Sequence, residues 1–249
     1  MIKRSLLVFL LLLPVVAWAS PAYDEPLSSA VMHLLQTASQ RGLVLRSAPA
    51  YTAMQAIDAR PAPGSPNVRY VGADFCPYCA ALRWPLTIAL MRFGSFQGLR
   101  AMLSSPGDVY PDTPTLTFAQ AEFKSPYITF SPTEVRTREG LPLQPLIGRD
   151  REVFAHYDTT PYTSHVGGIP FLYIGGRWLL LGAPVNPALF AHLTWHKIAG
   201  KLANPKSALA RAVLPQANLI TAAICSVDGQ RPSAVCQSTG VRRAANVLP

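Results

Sequence analysis

The chain has 249 residues, of which 49% are hydrophobic and only 14% charged, with a net charge of +9. That composition suits one sizeable core, or one domain with additions, and excludes long charged disordered tails. The positive charge is scattered from Arg83 to Arg243 with no basic stripe interleaved with aromatics, so it reads as a solvated surface and nucleic acid is not expected as a partner.

The first residues read as a secretion signal over 1–19. Lys3 and Arg4 form a basic start, Leu6 to Val16 an apolar stretch, and Ala17-Trp18-Ala19 a small-x-small cleavage site. The apolar stretch is short for a bilayer span and contains Pro14. Cleavage is favoured over an uncleaved N-terminal anchor, and only the anchor would tie the chain to a membrane. No other segment is read as a span. The expected location is extracytoplasmic, in the periplasm or at the cell exterior.

In chain order, residues 27–41 read as a helix capped by Ser28 or Ser29 and stopped at Gly42. A second short helix is expected over Tyr51 to Ile57. The Pro-rich run Ala59 to Pro66 reads as a connector, which places a helical extension and linker at 20–64 and the main domain at 65–237. Val68 to Val71 reads as a strand, Gly72 to Phe75 as a turn, and Ala80 to Phe93 as a buried helix. Gly98 to Leu103 reads as a second strand. Thr115–Phe118 and Tyr127–Phe130 read as a hairpin pair, inserted before a helix around Leu146 to Tyr157. Phe171–Ile174 and Arg177–Leu181, joined by Gly175-Gly176, form a hairpin signal. Helices are expected over Pro187–Leu202 and Ser207–Cys225, with a tail at 238–249. The 24 prolines predict many turns.

Cys76-Pro77-Tyr78-Cys79 falls at the junction of the strand and the helix N-terminus. Free backbone N–H groups and the positive end of the helix dipole stabilise a thiolate there. A thiol whose pKa falls in this way is the reactive species in disulfide exchange. Cys76, nearer the helix end, reads as the nucleophile and Cys79 as the resolving thiol. Pro77 suits the first helical turn, Tyr78 is placed to cover the pair, and Pro85 should kink the helix. A zinc site needs four ligands, usually as two close pairs. Cys225 and Cys236 are badly spaced for that, so redox chemistry is favoured over zinc or an inert disulfide.

The order of strand, cysteine-bearing helix, strand, inserted segment with helix, then hairpin is that of a thioredoxin-like α/β domain. The Cys-Pro-Tyr-Cys motif, with Ile169-Pro170 leading into an apolar hairpin, resembles the thioredoxin superfamily. That resemblance implies a cis Pro170 facing the cysteines, with Ile169 and Pro170 shaping a peptide-binding surface together with Pro77 and Tyr78. It also implies an insertion between the second strand and the cis-proline hairpin, followed by C-terminal helices. A closer resemblance is to a family of archaeal and bacterial proteins catalogued as domain of unknown function 929. It rests on Gly72–Ala81, Arg83-Trp84-Pro85-Leu86, Asp108–Pro111, Tyr127–Phe130, Ile169-Pro170-Phe171, Ala222–Cys225 and Val235-Cys236. That likeness implies the fold and no known substrate. One departure stands out: where thioredoxins often carry a buried acid six residues before the first cysteine, this chain has Tyr70, and Asp74 is the only acid close by.

Cys225 and Cys236 flank a turn-forming Asp228-Gly229-Gln230. A structural disulfide clamping the C-terminal helix is favoured over a second redox pair that relays electrons to Cys76 and Cys79. His192 and His196 fall one turn apart on an expected helix but lack the glutamate of a zinc protease, so no metal is assigned. His165, just upstream of Pro170, has no fixed orientation. The reading is an exported thiol–disulfide oxidoreductase without a cofactor. Its partners would be protein or peptide thiols and disulfides and a further redox protein. The competing reading is a non-enzymatic, chaperone-like peptide-binding protein.

Overall fold

The structure, a computed structural model, describes residues 23–49, 54–57 and 67–249. The expected signal and the Ala59–Pro66 connector lie outside the described residues. Helix α1 spans Ser29–Leu43, with Ser28 as N-cap accepting from the Val31 N–H. Gly42 does not stop it. A Cβ there would come within 2.4 Å of the buried Arg92 guanidinium, so close packing, and not a turn, calls for glycine.

A five-stranded mixed sheet forms the centre, in the order β1 (Met54–Ala56), β9 (Trp178–Leu181), β8 (Phe171–Ile174), β2 (Asn67–Gly72) and β7 (Thr129–Glu134). Strands β2 and β7 run parallel; the other neighbours are antiparallel. Side chains alternate between the two faces, as strand geometry requires. Val68, Tyr70, Leu172, Ile174, Trp178 and Leu180 enter the larger core, while Val71, Phe171 and Leu179 enter a smaller one. Helix α3 (Gly148–Tyr157) covers the smaller core through Val153 and Tyr157, and its Asp150 pairs with Arg69. The larger core is covered by α2 (Pro77–Leu90), α4 (Trp195–Ala203), α5 (Ala208–Cys225) and α1. Helix α6 (Ser233–Cys236) follows, and α7 (Thr239–Ala245), within the expected tail, packs Val241 and Ala244 into the same core.

Several expectations are corrected. Met54–Ala56, expected as part of a helix, is a strand: β9 offers an open edge, and Met54 faces the core while pairing with Leu180. The strand after α2 exists as β4 (Arg100–Leu103) but is not the second strand of the central sheet. It pairs with β5 (Pro114–Thr117) in an outlying hairpin, beside β3 (Ser95–Gln97) and β6 (Glu122–Lys124). Thr115–Phe118 and Tyr127–Phe130 are therefore not a hairpin, and the parallel partner of β2 is β7. The inserted segment accordingly precedes the second central strand, because strand patterning does not name a strand's partner. Finally, Pro187–Leu202 is broken into a 3-10 turn, Pro187–Phe190, and α4. His192 takes φ +60° and Thr194 caps α4 anew, so His192 and His196 do not share a helix face.

Helix α5 is long and apolar enough to cross a membrane, against the expectation from sequence, yet it is mostly buried inside the fold. Leu209, Val213, Leu214, Leu219 and Ile220 are core residues, which accounts for its hydropathy.

Candidate active site

Strand β2 ends at Gly72, and a short turn delivers Cys76 to the N-cap of α2. The Cys76 sulfur accepts the Cys79 backbone N–H at 3.2 Å, one of the free donors of the helix start. Pro77 fills the first helical position, where its missing N–H is not needed. Cys76 is 5% exposed and Cys79 fully buried, and both are free thiols. Hydrogen bonding from the Cys79 thiol lowers the Cys76 pKa against the opposing effect of burial. The Cys79 N–H, the Arg83 charge and the Tyr78 N–H add to the lowering. Burial pushes the Cys79 thiol well up, and the hydrogen bond to Cys76 adds to that. The surroundings thus push the two thiols apart, the Cys76 pKa down and the Cys79 pKa up.

Ile169–Pro170 is a cis peptide, and the Ile169 carbonyl oxygen lies 3.9 Å from the Cys76 sulfur. Pro170 is buried and immediately precedes β8, its carbonyl accepting from the Gly182 N–H. Asp158, just past α3, positions this segment: its carboxylate accepts from the backbone of Gly167 and of Gly168, the latter at 3.2 Å. Sequence reading did not single out Asp158. Tyr78 lies between the two cysteines in the first turn of α2. It is 42% exposed and packs edge-on to Tyr110. His165 is exposed. Beyond Tyr110 opens a cavity of about 650 Å³, walled by Leu103, Tyr110, Pro114, Pro187 and Trp195 among others.

Beneath the cysteines lies a charged cluster that sequence reading missed. Arg83, fully buried, donates to both carboxylate oxygens of Glu134 at 2.9 and 2.6 Å, to Asp74 at 3.3 Å and to the Ala73 carbonyl at 2.9 Å. Burial raises the Asp74 pKa to about 6, against the pull of Arg83. Asp74 is 3% exposed and so is not solvated. One signal was present: a lone arginine on an otherwise apolar buried helix needs a carboxylate partner. Its identity, Glu134 at the end of β7, follows only from strand pairing. Tyr70 sits in the same region. Its ring lies 5.9 Å from the Arg83 guanidinium, and its hydroxyl folds over Gly72, where a Cβ would approach to 2.1 Å.

Cys225 and Cys236 form a disulfide. It lies at the far end of the sheet from Cys76: Gly175, bonded to Asn67 at the start of β2, touches Val227, and Trp178 donates to Ser226. Strand β2 alone, six residues long, separates the two ends by about 17 Å.

No curated protein and no solved structure matches the chain. The family model described as "Domain of unknown function (DUF929)" matches residues 54–226, a span that holds the cysteine motif, the charged cluster and the cis-proline segment, and the chain belongs to that family.

Proposed function

We propose that this protein is an exported thiol–disulfide oxidoreductase of thioredoxin-like fold, acting on protein or peptide disulfides through Cys76 and Cys79. The observation that carries the reading is the Cys76 sulfur, at a helix N-terminus with its pKa lowered, facing the carbonyl of a cis-proline segment 3.9 Å away. The order β7-β2-β8-β9, with only the β2–β7 pair parallel, supports the fold assignment. So do α2 between β2 and β7, α3 between β7 and β8, and α5 after β9. The basic, apolar and small-residue pattern of residues 1–19 and the Cys225–Cys236 disulfide support export to an oxidising compartment.

In the proposed cycle a substrate disulfide is attacked by the Cys76 thiolate, which forms a mixed disulfide and expels one substrate thiolate. Cys79 then attacks the Cys76 sulfur, releasing the second substrate thiol and leaving the Cys76–Cys79 disulfide. The reverse sequence oxidises a substrate dithiol, and a separate redox protein restores the starting state. The exposed Tyr78, in the first turn of α2 between the two cysteines, and the exposed Val109, next to the Tyr110 that packs on it, favour an extended polypeptide over a small thiol as substrate. The clamp reading of Cys225–Cys236 is favoured over a relay by their separation from Cys76.

Equilibration of the pair against a glutathione series, with refolding of a reduced protein and of a scrambled one as the oxidase and isomerase readouts, tests the proposal. The expected potential lies above about −230 mV, on the oxidising side of thioredoxin at about −270 mV, and Cys76→Ser should abolish turnover. A potential near or below thioredoxin's would favour a reductase instead. Polypeptide binding that survives replacement of both cysteines, with no turnover in the unaltered protein, would favour the chaperone-like reading.

A further inference from the structure

Helix α2 is buried along nearly its whole length, and its described side chains are apolar except Arg83 and Thr87. A buried ion cluster is a costly choice there, because desolvating a guanidinium and two carboxylates offsets most of their mutual attraction, and an apolar side chain of similar volume would pack as well. The position of the cation is specific. Arg83 follows Cys79 by four residues, so the two side chains lie one above the other on one face of the helix, with Cβ atoms about 5–6 Å apart. The fork grip of Glu134 from β7, with Asp74 and the Ala73 carbonyl from the turn that carries Cys76, holds the guanidinium at this depth. Tyr70 from β2 closes the other side at 5.9 Å.

We propose that Arg83 is a positioning residue that sets the redox poise of the Cys76–Cys79 pair: its buried charge, anchored by Glu134 and Asp74, stabilises the thiolate of the reduced form. This rests on the disulfide-exchange reading above. The Arg83 charge acts on both sulfurs, and at Cys79 it outweighs the opposing Glu134 charge. The balance it shifts is the two-electron exchange in which the reduced pair and oxidised glutathione give the Cys76–Cys79 disulfide and two glutathione thiols, which carry the two protons. A cation that favours the thiolate holds this equilibrium toward the reduced pair and raises the potential. Where thioredoxins often carry a buried acid on the strand before the motif, this chain has Tyr70, and the buried charge nearest in sequence on the cysteine-bearing helix is a cation, Arg83.

The test compares the full-length protein with Arg83→Gln, Arg83→Lys and Glu134→Gln, measuring the glutathione equilibrium, the pH midpoint of Cys76 alkylation and urea stability in parallel. Arg83→Gln should shift the equilibrium toward the disulfide by about tenfold or more, equivalent to about 30 mV lower potential, and raise the alkylation midpoint. Glu134→Gln, which removes an anion and leaves the cation, should shift both in the opposite direction. Arg83→Lys should stay within about threefold of the parent equilibrium even though it loses the fork and some stability. A merely structural Arg83 would lower stability in all three variants without opposite shifts, and that outcome overturns the inference. If Arg83→Gln does not fold, the sign of the Glu134→Gln shift decides. If the unaltered pair forms no reversible disulfide, the disulfide-exchange reading fails, and the alkylation midpoints alone judge the effect of Arg83: unchanged midpoints overturn it.

Discussion

The Cys225–Cys236 disulfide offers the sharpest separation of structure from chemistry. It closes a short loop, with a sequence separation of 11, between the end of α5 and α6. The chain-entropy relation gives about 3 kcal/mol for a loop of that length. Both sulfurs are buried against α5 and α7, so replacing the two cysteines with alanine also leaves small cavities, and about 3 kcal/mol is the expected minimum. For a chain of this size that corresponds to a fall in Tm of about 6–12 °C. Because the bridge sits at the opposite end of the sheet from Cys76, disulfide exchange per folded molecule should be nearly unchanged. Urea unfolding of the double variant, with activity measured well below its transition, checks both halves. Loss of turnover in a fully folded double variant would refute the clamp and support an electron relay. A stability loss well under 1 kcal/mol would refute the loop-closure argument.

Asp74 should leave its mark on the pH dependence of stability. Its folded pKa of about 6 lies above the reference of 3.8, so the folded state holds this proton more tightly than the unfolded state. Stability associated with Asp74 is complete below about pH 4 and is lost as pH rises to about 6, by about 3 kcal/mol in all. Asp74→Asn should therefore show a growing stability advantage over the parent across that window, read as the difference between two urea titrations; a flat difference would count against the assignment. Asp158→Ala should release the Gly167–Gly168 backbone and slow reaction with peptide substrates about tenfold, the scale of one charge-assisted hydrogen bond, while leaving the Cys76 alkylation midpoint unmoved. A moved midpoint would show that Asp158 acts on the thiol itself.

The sequence alone determined the features that are local in the chain. Pro77 suits a first helical turn, and a strand and turn precede the motif while an apolar run follows it, so the motif's place at the N-terminus of α2 was legible, as were α1 with its Ser28 cap and the β8–β9 hairpin with its Gly175-Gly176 turn. The pairing of Cys225 with Cys236 was legible for the same reason, since the two residues flank one turn. Everything that depends on which distant segments meet was decided by the tertiary structure. Alternating side chains mark a strand but not its neighbour, so β7 was read as half of a hairpin when it is the parallel partner of β2. That one pairing places Glu134 beside Arg83 and turns a lone arginine on an apolar helix into a buried ion cluster under the cysteines. Met54–Ala56 became a strand because an unpaired edge of β9 had hydrogen bonds to offer, an option no local propensity can express. Burial, too, is a property of the assembled core. Asp74 stands in a polar-looking turn, yet it is enclosed by α2, β5 and β7, and its raised pKa comes from that enclosure.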